Sequence, residues 1–142
     1  MRMISWLFQI CVNFLNWLGK TTGLTYVEIS VVFNLWVQSG LLVISALIPF
    51  ILALVHYSHN KASFSIVVLT GLLLLLYVFV FAWVFAHYGT KMNYAFKLCV
   101  DDLLHLAKLW HTSYYMVNII IFIVGWIVAV SVNALITWKL LN

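Results

Sequence analysis

Thr25–Tyr57 is a run of 33 residues with one proline and, after Glu28, no Asp, Glu, Lys or Arg. As a helix it reaches ~50 Å at about 1.5 Å per residue, well past a ~30 Å hydrocarbon core. A stretch like this crosses a bilayer or needs an interior far larger than 142 residues can build. It opens on Thr25-Tyr26-Val27-Glu28, the pattern in which a Thr hydroxyl and a Glu carboxylate satisfy the free N–H groups of a helix start.

The rest of the chain agrees. Hydrophobic residues make up 66% and charged residues 7%, whereas soluble domains carry roughly 25% charged residues. Lipid is therefore the expected solvent for most of the surface. The net charge of +4 comes from seven scattered Lys and Arg with no basic run. They read as topology signals and headgroup contacts, not as a nucleic-acid footprint. Cys11 and Cys99 form no CxxC and no zinc pattern and read as small apolar side chains, with a disulfide or a lipid attachment as the alternative.

Residues 3–18 resemble a signal peptide but lack a small-x-small cleavage site. Ser5, Gln9, Asn13, Asn16 and Lys20 share an arc of about 80° on a helical wheel. Ile4, Leu7, Phe8, Cys11, Phe14, Leu15 and Leu18 oppose them. The segment reaches only ~24 Å, so it is expected to lie in the interface, anchored by Trp6 and Trp17. A short fourth crossing is the alternative. Gly19–Gly23 is expected to turn.

The first crossing is predicted over 26–57. Ser30, Asn34, Gln38, Ser45, Pro49 and His56 fall within an arc of about 100°, a polar stripe that should face protein. Ser39, Ala46 and Ala53 recur every seven residues, where another helix can come close. Pro49 should kink the helix, with a Ser or Thr hydroxyl or a neighbouring helix satisfying the freed carbonyl of Ser45. The second crossing, 64–87, is capped by Ser63, carries five consecutive leucines at Leu72–Leu76, turns Ser63, Thr70 and Tyr77 inward, and stops at a left-handed Gly89.

Residues 91–111 form a second amphipathic segment, with Lys97, Asp101, His105 and Lys108 on one face. The third crossing, 114–138, is capped by Thr112-Ser113. Asn118, Gly125, Ala129 and Asn133 share one face, with Gly125-x-x-x-Ala129 as a small-xxx-small pair for close helix contact. The expected fold is a single all-α integral membrane domain of three transmembrane helices, possibly four, plus two interfacial amphipathic helices. Arg2, Lys20, Lys91, Lys97 and Lys108 oppose Lys61 and Lys139 across the membrane. That asymmetry puts the N-terminus in the cytoplasm and the C-terminus outside. The absence of a cleavable signal fits a bacterial inner membrane.

Chemistry is sparse. Asp101 and His105, four apart on one helix face, are the weak metal candidates, with His87 as a third donor from the same side. The more ordinary reading is a solvated face, with acid–base pairs worth ~0.2–0.5 kcal/mol each. His56-x-x-His59 lies on the opposite side. There is no GxSxG, no Gly-rich phosphate loop and no HExxH, so no enzyme, metal or cofactor is expected. The expected function is that of an accessory, assembly or immunity-type protein, acting through helix–helix contacts with other membrane proteins or itself. The alternative is a subunit of an oligomeric channel or small transporter, its path lined by Asn34, Gln38, Ser45, Asn118 and Asn133.

Overall fold

The computed structural model describes residues 2–142. Among them are five helices and no strand: α1 Arg2–Thr22, α2 Tyr26–Ser58, α3 Phe64–Tyr88, α4 Met92–Leu109 and α5 Tyr114–Leu141. Three of these, α2, α3 and α5, are long and apolar enough to span a membrane.

The helix ends show how local chemistry sets the boundaries. At α2 the capping box is complete. The Glu28 N–H donates to Thr25 Oγ1 at 3.3 Å, and the Thr25 N–H donates to Glu28 Oε2 at 2.8 Å. Helix α1 runs through Gly19 to Thr22, so the expected five-residue turn shrinks to Gly23 and Leu24. The reason is a Schellman stop: Gly23 has φ +75°, and the Leu24 N–H reaches back to the Gly19 carbonyl at 3.0 Å.

Ser63 has the extended backbone of a cap residue, but its side chain makes no cap bond; the Ile66 N–H goes to its carbonyl instead. Ser113 does cap, accepting from the Met116 N–H at 3.3 Å. Gly89 stops α3 at φ +67°, ψ −163°, an extended region open essentially to glycine alone rather than the left-handed helical one.

Two features lie outside the sequence expectations. Helix α2 widens to π geometry over Val31–Val37, and α5 does so over Ile120–Gly125. Helix α2 is also central. It packs along both α3 and α5, which share no comparable interface with each other. The three long helices thus form an open V, not a closed bundle.

Helices α1 and α4 lie at the end where α2 and α5 begin and α3 finishes. Phe8 of α1 packs edge-on against Tyr114 and Tyr115, and Phe14 against Phe33. Both hydrophobic clusters sit at this end: Val31, Leu35, Tyr88 and Ala95 in one, Leu103, Ala107 and Val117 in the other. Further along, the buried side chains of α2 and α3 are small: Ser39, Ala46, Pro49, Ala53 and Thr70. Where surrounding lipid would be as apolar as leucine, close backbone approach replaces burial of bulk as the source of packing.

Candidate functional site

The polar stripe is used inside the chain. Gln38 directly follows the π segment of α2, Phe122 lies within that of α5, and Trp126 directly follows it. Gln38 Nε2 donates to the Phe122 carbonyl at 3.0 Å, and Trp126 Nε1 donates to the Gln38 carbonyl at 3.1 Å. A π turn shifts carbonyls out of the ordinary i→i−4 ladder. The Phe122 carbonyl lies in such a turn and takes the Gln38 side-chain donor, while the Gln38 carbonyl, just past its own π segment, takes the Trp126 indole N–H.

Farther along, Asn133 Nδ2 donates to Ser45 Oγ at 2.8 Å, and that hydroxyl donates to the Leu42 carbonyl at 2.8 Å. The Ser45 hydroxyl therefore does not serve the carbonyl that Pro49 frees. Asn133 Oδ1 and Trp36 Nε1 are buried with no partner among the described residues. Asn118 Nδ2 donates within its own helix to Tyr114 Oη at 3.4 Å.

One expected contact does not form. Gly125 is exposed and Ala129 half-buried, so the small-xxx-small pair seats no helix of this chain. The V geometry explains it, because α5 has α2 on one flank and open space on the other. Gly125 has a local role instead. A Cβ there would stand 3.2 Å from the Ile120 carbonyl oxygen, which the π turn brings close.

Two cavities flank Gln38. A smaller one of about 290 Å³ lies beneath α1 and is lined by Cys11, Asn34, Cys99, Tyr114 and Asn118 among others. A larger one of about 550 Å³ opens between α3 and α5 with α2 as its floor and α4 across one end. Asn34, Gln38, Cys99 and Phe122 line both, so the Gln38 clasp stands in the partition.

At the α4 end of the larger cavity the acid is Asp102, not Asp101. His87 Nε2 is 3.0 Å from Asp102 Oδ2, and Tyr88 Oη donates to the same oxygen at 2.9 Å. A carboxylate only accepts, so Nε2 carries the imidazole proton in this pair. Trp83 stacks on the His87 ring at 4.8 Å and 8°. Asp101 and His105 are exposed on α4. Among the described residues no group of three or more His, Cys, Asp or Glu side chains is placed to hold a metal ion. His87 was expected on the same side as the α4 acids, but its pairing with Asp102 was not legible, since the two lie on different helices and only the return of α4 joins them.

Both cysteines are free thiols. Burial, reinforced by the charge of Asp102, pushes the Cys99 thiol up to about 12. Burial also raises that of Cys11, against a smaller opposing effect of a backbone hydrogen bond. A thiol held protonated is a poor nucleophile and a poor metal ligand. Set against known proteins, the chain matches no family model, no curated protein and no solved structure.

Proposed function

We propose that this chain is a multi-pass protein of a bacterial inner membrane, its α1/α4 end cytoplasmic and its C-terminus outside. In this reading it is a non-enzymatic accessory or assembly protein that works by binding a transmembrane helix of another membrane protein or of a second copy. The observation that carries the reading is a seam on the outer side of α2. Val37, Leu41, Ile44, Ile48, Ile51 and Val55 are all exposed, with Leu47 and Leu54 exposed on the flank of the row. Their spacing is 4, 3, 4, 3, 4, the heptad pattern whose knobs enter the holes of a facing helix. The opposite side of α2 is committed to α3 and α5. The central helix therefore offers one regular apolar face to a helix from outside the chain.

The glue role of the amides supports this over the channel. Gln38 and Asn133 bond across helices, as register-fixing groups do. Crosslinking in native membranes through a photoreactive residue at Ile48, followed by mild-detergent purification, is expected to give a species heavier than the monomer. Its mass distinguishes a second copy from a different protein. Monomer alone in both experiments would overturn the reading. Solute flux in liposomes that falls on Gln38→Leu or Asn118→Leu would favour the channel instead.

A further inference from the structure

The larger cavity has the shape and polarity of an amphiphile site, and it lies on the opposite side of α2 from the heptad seam. Its walls are apolar, with Val80 and Val84 from α3 and Ile121 and Phe122 from α5. Gly125 adds backbone where a side chain would narrow it. Its volume of about 550 Å³ falls within the ~300–1,000 Å³ typical of small-molecule sites. Asn34, Gln38 and Ser39 add neutral polar groups along the α2 floor, and the titratable side chains His87, Asp102 and His105 gather at the α4 end.

Among the described residues Asp102 is the sole Asp, Glu, Lys or Arg lining this cavity. Its Oδ2 already accepts from His87 and Tyr88. A carboxylate has about four lone-pair sites in all, so it can accept further donors. An anionic head would face that carboxylate unfavourably, whereas an ammonium head complements it. The position of α4 argues against a crossing helix, because α4 packs on the start of α2, the end of α3 and the start of α5. A rod running the length of the cleft would meet it. A lipid ends at that level.

We propose that the cleft between α3 and α5 binds an ammonium-headed membrane lipid, with one acyl chain along Val80, Val84, Phe122 and Gly125 and the head at Asp102. Two phospholipid probes carrying the same photoreactive acyl chain, one with an ethanolamine and one with a glycerol head, test this on the full chain in nanodiscs of phosphatidylglycerol, whose head has no ammonium group to compete. The ethanolamine probe is expected to label residues 80–84 and 121–126 over the glycerol probe by about fivefold, the size of one charge's effect near a membrane surface. The five leucines of α3 should show no head preference.

Asp102→Asn should erase the preference while elution on size exclusion stays unchanged. Val80→Trp should lower labelling by both probes. Equal labelling by the two heads, or labelling spread evenly over α3, overturns the proposal. So does a polypeptide crosslinked from Val80 in native membranes. The comparison of the two probes on the unaltered protein needs no variant to fold.

Discussion

Two side chains carry most of the specific information at the residue scale. Gln38 joins two π segments with one side-chain bond and one carbonyl. Replacing it with Leu leaves the Phe122 carbonyl without its donor. The expected cost is about 1 kcal/mol, above the ~0.6 kcal/mol average for interhelical bonds in bilayers because an acceptor is orphaned. Reversible unfolding in mixed micelles would measure it, and a neutral result would deny the clasp.

Cys99 makes a kinetic prediction. Burial and the Asp102 carboxylate both disfavour its thiolate, so its ionisation midpoint moves up from 9.0 to about 12. Its alkylation rate in the folded protein should keep rising past pH 9, where an ordinary thiol levels off. A plateau near pH 9 would contradict the buried placement. That the Gln38 side chain turns toward a neighbouring helix was legible from its position on the stripe. Its partner was not, because a backbone carbonyl exposed by a π turn leaves no residue-type signal.

At the scale of elements, the turn between α1 and α2 sets where α1 lies. Gly19 approaches Leu24 so closely that a Cβ would stand 2.8 Å from its carbonyl oxygen, and Gly23 sits at φ +75°. Gly23→Ala should cost ~1–2 kcal/mol through the left-handed backbone alone. Gly19→Ala must move backbone, and should loosen α1 from the Tyr114–Tyr115 ledge. Hydrogen exchange over residues 2–22 would rise in both variants and stay low in Thr21→Ala, whose hydroxyl bonds only within its own helix.

Helix positions, the Thr25 and Ser113 caps and the amphipathic faces of α1 and α4 were readable from periodicity, since each depends on near neighbours. The π segments were not, because they follow from the fit of α2 against α5. The Ser63 cap shows the reverse case: the right residue stands at the right place, and a backbone bond does the work.

For the whole molecule, the sequence identified three apolar helices and the interior face of α2, with Ser39, Ala46 and Ala53 all buried. The arrangement around α2 was not legible. Helical periodicity says which face turns inward but not how many neighbours share it, and Gly125 was assigned to a helix contact that the open V does not supply. That openness gives the molecule two separate surfaces in the proposed account, a lipid cleft between α3 and α5 and a heptad seam behind α2.

The seam is the central claim. A cysteine scan through residues 37–55, oxidised in native membranes in a background lacking Cys11 and Cys99, tests it most directly, with a partner found at Ile48 given a matching cysteine. Crosslinking should peak at 37, 41, 44, 48, 51 and 55 and vanish at Ala46 and Ala53. A flat profile, or peaks on the α3 side of α2, would contradict the account.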